Sequence, residues 1–84
     1  MPVLDVFSRQ GCHLCEVLIE ELVPLVRGTF SVAVHDIDSR PDWREKYDTL
    51  IPVVEFEGRL VCQYRLDRSA IAELKARMPT PGCE

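Results

Sequence analysis

Val3-Leu4-Asp5-Val6-Phe7-Ser8-Arg9-Gln10-Gly11-Cys12-His13-Leu14-Cys15 runs from an apolar stretch through a polar turn to two cysteines three residues apart. Residues Pro2 to Phe7 read as a short buried strand, and Ser8-Arg9-Gln10-Gly11 supplies the turn, with Gly11 allowing close backbone approach. Beyond it, Leu14, Val17, Leu18, Leu22 and Leu25 recur at helical spacing, widened by Ile19, Val23 and Val26, while Glu16, Glu20 and Glu21 take the other side. One helix face is therefore expected to bury against a sheet. Two thiols at a strand-to-helix junction form a redox arrangement. The unpaired N–H groups of the first turn and the positive end of the helix dipole favour a thiolate on Cys12, the reactive form. Cys15, one turn on, is placed as the resolving thiol. The spacing alone also suits half of a zinc site or a small disulfide staple, although a staple across so short a loop restricts the unfolded chain little.

Pro24 removes a ladder donor and crowds the carbonyl one turn back, so a kink or an early end is expected before Arg27-Gly28. Phe30, Val32 and Val34 alternate with Ser31, Ala33 and His35 in a second strand that fades at Ile37-Asp38-Ser39. Strand, helix, strand implies parallel pairing through a right-handed crossover. Ser39 and Pro41 open a second helix, with Trp43 and Tyr47 on one face as core residues and an end near Thr49. Pro52-Val53-Val54-Glu55-Phe56 and Leu60-Val61-Cys62-Gln63-Tyr64 flank Glu57-Gly58-Arg59, an antiparallel hairpin whose glycine suits a left-handed turn position. Asp67 reads as the N-cap of a last helix striped by Ile71, Leu74 and Met78 and ending before Pro79. The expected chain is α/β, in the order β-α-β-α-β-β-α, with one domain over 1–78 and a flexible tail over 79–84.

Eighty-four residues suffice for one domain with a modest core, so an active site must lie on its surface or in a shallow groove. Apolar residues at 46% and charged residues at 29% are ordinary for a folded chain and argue against disorder. The net charge of −4 comes with no basic block, which leaves counterion release no source, and no nucleic-acid partner is expected. The first residues lack a positive lead and a long apolar core, and no stretch approaches ~20 apolar residues. No membrane association is expected, and the cytoplasm is the expected location. The four cysteines are then expected to be reduced thiols with catalytic or metal roles rather than a disulfide framework. Cys62 falls in a strand pattern and reads as a small core residue, while Cys83 lies in the tail. His35 reads as an ordinary strand residue, and Asp5 either as a proton acceptor behind the cysteine pair or as an exposed residue at a strand edge.

Three segments together carry a family resemblance: Ser8-Arg9-Gln10-Gly11-Cys12-His13-Leu14-Cys15, Asp36-Ile37-Asp38 closing the second strand, and Ile51-Pro52-Val53 opening the third. Nearly the whole chain resembles the glutaredoxin-like branch of the thioredoxin superfamily. The resemblance implies a thioredoxin fold, with a four-stranded mixed sheet flanked by helices, and thiol-disulfide oxidoreductase activity on protein or glutathione-mixed disulfides. By matching position it puts the nucleophile on Cys12, the resolving thiol on Cys15 and a cis proline at Pro52. An X-Pro bond is the one kind with a modest cis cost, and a proline opening a strand gives up no ladder donor. A cis bond would turn the Ile51 backbone toward Cys12, leaving its N–H and C=O to pair with an extended substrate as an added strand.

The chain departs from the family pattern at two places. His13 stands where many glutaredoxins have proline. As imidazolium it would favour the Cys12 thiolate and make the couple more oxidising, and otherwise it is an exposed first-turn residue without redox effect. Gln63-Tyr64-Arg65-Leu66-Asp67 stands where glutathione-binding members carry a paired-glycine turn, so glutathione is expected to bind weakly. What remains of a glutathione site is Arg9, spaced where a lysine often stands and suited to a carboxylate, with the Ile51 backbone and the Asp67 helix start. Tyr64-Arg65-Leu66-Asp67 also resembles the corresponding segment of small redoxins that draw electrons from thioredoxin reductase. Glutathione and a thioredoxin-reductase-type reductant are thus both candidate electron donors. Disulfide-containing proteins are the expected substrates, a monomer is expected, and no cofactor or metal is required. The rival class is an iron–sulfur cluster or metal carrier with Cys12 as ligand, because relatives lacking proline after the first cysteine can share a cluster between subunits. A third class is an interaction domain that has kept the fold without turnover.

Overall fold

Alternation along the first strand, β1 (Val3–Ser8), divides the interior in two. The computed structural model describes residues 2–77. Leu4 and Val6 point to one face, where they join Leu18, Leu22 and Val26 from the first helix, α1 (His13–Val26). Phe7 points to the other face and joins Ile37, Tyr47 and Val53, with Trp43, Leu50 and Ile51 packed around them. The next strand, β2 (Ser31–Asp36), is followed by a single 3-10 turn (Ile37–Ser39) and a short helix, α2 (Pro41–Tyr47). The hairpin β3 (Val53–Phe56) and β4 (Arg59–Gln63) leads into α3 (Arg68–Arg77). The strand order is β2-β1-β3-β4, with β1 parallel to β2 and antiparallel to β3, and β3 antiparallel to β4. This is the mixed four-stranded sheet and the β-α-β-α-β-β-α order implied by the sequence.

The apolar stripe of α1 turns out to run through Cys15, Leu18, Leu22 and Val26, with Ile19 and Leu25 partly buried beside it. Leu14 and Val17 were expected on that face but stay 54% and 37% exposed. Seating Cys15 inward rotates them away from the sheet. Each fully buried leucine in this layer is worth ~1.5–3 kcal/mol of transfer free energy, so truncating Leu22 to alanine would cost ~2–5 kcal/mol. The helix tolerates Pro24 in its last turn and stops at Val26, whose carbonyl accepts the N–H groups of Thr29 and Phe30, both at 2.9 Å. Lys75 of α3 donates to the Leu25 carbonyl at 2.6 Å, tying the ends of the two helices on this face together.

Other boundaries moved by a residue or two for local reasons. The strand β2 ends at Asp36 because that carboxylate accepts the Asp38 N–H at 2.9 Å and starts the 3-10 turn. Val34, near the end of this edge strand, is 51% exposed rather than core. The helix α2 starts on Pro41 and stops at Tyr47, where a turn closes through Leu50 N–H to the Tyr47 carbonyl. Glu57 and Gly58 both take positive φ, 53° and 80°, the two-residue turn whose twist matches a hairpin. Tyr64 leaves β4 because its φ is +69°. Asp67 caps α3 as expected, accepting the Ala70 N–H at 3.0 Å. Met78, Cys83, the domain end at 78 and the tail over 79–84 lie outside the described residues. No helix among the described residues is long and apolar enough to cross a membrane.

This topology puts the carboxyl ends of β1, β2 and β4 and the amino end of β3 at one end of the sheet. The segments leaving that end carry Arg9 to Cys12, Asp36 to Ser39, Ile51-Pro52 and Tyr64 to Asp67.

Candidate active site

Cys12 is the N-cap of α1, in extended conformation with φ −90° and ψ 101°. Gly11 precedes it at φ +78°, a left-handed turn position that a side chain would strain. The Cys12 N–H donates to the Arg9 carbonyl at 3.2 Å, and the Cys12 carbonyl accepts the first helical bond from Glu16 at 3.1 Å. Its Sγ accepts the Cys15 N–H at 3.1 Å, the position a serine or aspartate oxygen would occupy in an ordinary cap. Cys12 and Cys15 are joined as a disulfide, with their Cα atoms 5.2 Å apart. The two sulfurs differ in environment: Cys12 is half-buried at the helix mouth, whereas Cys15 is 1% exposed. His13 is the first residue of the helix and points to solvent.

The Ile51–Pro52 bond is cis. Pro52 is buried and its carbonyl accepts the Tyr64 N–H at 2.8 Å, which fixes the start of β3 to the end of β4. Ile51 packs in the second core, and no hydrogen bond among the described residues uses its N–H or C=O. Both groups therefore stand at the sheet end that carries the cysteines, without a partner among the described residues.

Arg9 is drawn toward the chain's own carboxylates. Its Nε and Nη2 reach the two oxygens of Asp38 at 3.0 Å each, and its Nη1 reaches Asp48 at 2.9 Å. Arg44 shares Asp38 at 3.2 Å. The Arg9 hydrogen bond, then the charges of Arg9 and Arg44, holds the Asp38 carboxyl below the usual carboxylate range. Asp67 spends its side chain on the α3 cap at the same end of the sheet. Nothing local in the sequence marks Asp38 or Asp48 as the Arg9 partner, and the pairing of Ser8 with Asp36 in the β1–β2 register is the signal that brings Arg9 to that corner.

Asp5 does not stand behind the cysteines. Side-chain alternation turns it to the α2 face, away from α1, where it accepts from or pairs with His35 Nε2 at 2.8 Å. His35 stacks on Phe7 with ring centroids 5.1 Å apart, so the half-buried imidazole belongs to the aromatic layer with Trp43 and Tyr47. Cys62 is a core residue at 7% exposure, and burial pushes its thiol above the ordinary value, which keeps it protonated and inert. Among the described residues no group of three or more His, Cys, Asp or Glu side chains is arranged to hold a metal ion.

A Cys-x-x-Cys pair at bonding distance on this sheet end is a redox-type centre. The model of the glutaredoxin-like domain (DUF836) matches residues 3–74, spanning every strand and most of the last helix. The chain belongs to the glutaredoxin-like domain family. Similar solved structures agree with it in fold. A structural-genomics target protein from X. campestris, XcR50, aligns with a TM-score of 0.65 at 24% identity, over 90% of this chain and 99% of that one. A malarial protein aligns at 0.61 and 14% identity over 92% and 97%. A variant thioredoxin from Halobacterium salinarum aligns at 0.60 and 24% identity, over 98% of this chain and 77% of that chain. No curated protein matches the sequence.

Proposed function

We propose that this glutaredoxin-like protein is a thiol-disulfide oxidoreductase that reduces disulfides of proteins or mixed disulfides with glutathione. The observation that carries the reading is the asymmetry of the dithiol, with Cys12 at the helix mouth accepting the Cys15 N–H and Cys15 sealed beneath it. In the reduced protein the same N–H and the helix N-terminus favour negative charge on Cys12. The Cys12 thiolate attacks one sulfur of the substrate disulfide, forming a mixed disulfide and expelling the other sulfur as a thiolate. Cys15, deprotonated, then attacks Cys12, closing the internal disulfide and releasing the second substrate thiol. Two electrons pass to the substrate, and a thiol reductant, glutathione or a thioredoxin-reductase-type system, returns them. The cytoplasm, where thiols are kept reduced, is the setting that suits this cycle, with the protein acting as a monomer and without a cofactor.

An extended substrate segment fits the free N–H and C=O of Ile51 as an added strand, which holds its disulfide in line with Cys12. Pre-reduced protein mixed with a disulfide-bonded protein such as insulin should lose its dithiol as insulin chains separate. Cys12→Ser should abolish the reaction, and Cys15→Ser should stop it at the mixed disulfide. Insulin reduction by the Cys12→Ser protein at the wild-type rate would sink the proposal.

A further inference from the structure

Tyr64 holds a backbone conformation that its side chain opposes. Its φ is +69°, and the Arg65 N–H closes onto the Gln63 carbonyl at 2.8 Å, forming a three-residue γ-turn with Tyr64 at its centre. Bulky L-residues rarely sit there, and glycine is the residue that does so freely. The chain does use glycine at its other turn positions of this kind, Gly11, Gly28 and Gly58, and Glu57 is accounted for by the hairpin turn it makes with Gly58.

Nothing inside the described structure compensates for the ring at position 64. Tyr64 is 44% exposed, belongs to neither core cluster, stacks on no aromatic ring or cation, and its hydroxyl makes no hydrogen bond among the described residues. Its backbone, by contrast, is fixed: its N–H is held by the Pro52 carbonyl, one residue along from the unpartnered Ile51. Strain that is not offset by internal packing concentrates at functional sites.

We infer that Tyr64 is a specificity-determining residue that forms the wall of the substrate groove along Ile51-Pro52 and selects disulfides carried on an extended peptide over small-molecule disulfides. The inference rests on the oxidoreductase reading and deepens it. A ring with an apolar face and a hydroxyl edge suits a peptide's side chains and backbone together, whereas a small disulfide engages Cys12 without reaching the wall.

The test compares two disulfides with the same small leaving group. One is hydroxyethyl disulfide, and the other is a decapeptide whose central cysteine is disulfide-bonded to 2-mercaptoethanol. In each case the reduced Cys12–Cys15 dithiol is oxidised as the disulfide becomes two thiols, so the single-turnover loss of dithiol needs no added reductant. The readout is the ratio of the peptide rate constant to the small-disulfide rate constant. Tyr64→Gly and Tyr64→Asn remove the ring and accept positive φ, and each should lower the ratio about tenfold with Tm held or raised. Tyr64→Phe should keep most of the ratio.

An unchanged ratio in the glycine and asparagine variants would overturn the assignment, and so would a lowered Tm in both, since the ring would then be a fold-holding group. Wild-type protein that reacts with neither substrate would overturn the oxidoreductase reading itself and the inference with it. Wild-type reaction with both at a ratio insensitive to position 64 would overturn the inference alone.

Discussion

The Arg9 guanidinium meets the Asp38 carboxylate as a fork, Nε on Oδ2 and Nη2 on Oδ1, across 29 residues of sequence. Asp48 takes the remaining nitrogen, so one side chain ties the turn before Cys12 to the corner after β2 and to the residues following α2. A planar fork fixes direction as well as distance. Its members are partly exposed, so its effect falls on the local order of the Cys12 turn rather than on global stability.

Arg9→Ala and Arg9→Lys should both loosen that turn, lysine because an ammonium cannot span the two oxygens of Asp38. Amide exchange at Cys12, whose N–H bonds the Arg9 carbonyl, should quicken about two- to fivefold while Tm moves little. The folded-state value of Asp38 lies below its unfolded one, chiefly through the Arg9 hydrogen bond. Its contribution is therefore present above the ordinary carboxylate range and is lost as pH falls through the depressed value. Wild-type exchange at Cys12 should approach that of Arg9→Ala only on that acid side, and a difference between the two that ignores pH would show that the fork is not what holds the turn.

The exposure difference between the two sulfurs makes an order of reactivity. Limited iodoacetamide treatment of reduced protein should mark Cys12 before Cys15, by at least about tenfold, and mass spectrometry of the peptides reads it directly. Cys15→Ser should accumulate a Cys12 mixed disulfide with substrate. Preferential labelling of Cys15, or trapping by Cys12→Ser instead, would reverse the assigned roles.

His13, exposed at the first helical position, is adjacent to Cys12 and free of other partners among the described residues. Proline tolerates that position, so His13→Pro should fold and give a more reducing couple. Equal potentials in the two proteins would make His13 a bystander.

Tyr47 donates to Glu55 at 2.9 Å from within the second core. Burial first, then the Glu55 hydrogen bond, raises its phenol above the usual value. A raised folded-state value means stability that is whole below the ordinary tyrosine range and lost as pH climbs through the raised one. Tyr47→Phe should cost about 1 kcal/mol at neutral pH and should lose less stability than wild type between neutral and strongly alkaline pH. Urea melts at both pH values measure this, and parallel losses in the two proteins would exclude Tyr47 as the titrating group.

The strands, the three helices and the cysteine pair were legible because each is a local pattern: alternation in β1, a helical stripe behind Cys12, a glycine turn at Glu57-Gly58, a cap at Asp67. What the sequence hid depends on long-range register or on backbone angles. Arg9 carries a suitable charge for any carboxylate, and only the parallel pairing of Ser8 with Asp36 shows that the partner is internal. Asp5 reads as near the cysteines along the chain, and a single step of strand alternation sends it to the opposite face. Leu14 and Val17 satisfy the helical period as well as Cys15 does, so the choice of buried face was settled by tertiary packing. Tyr64 gives no sign of its left-handed backbone, since nothing in a tyrosine announces one.

The hairpin tip at Glu57-Gly58 and the turn at Arg27-Gly28 leave the sheet at the end opposite to Ile51-Pro52 and Cys12. Among the described residues the dithiol and the hairpin tip therefore stand at opposite poles, separated by the length of the central strands. A tether, dye or added loop grafted at the hairpin tip would leave the dithiol facing outward, so the protein could be mounted on an electrode in one orientation with its sulfur chemistry open to the bath.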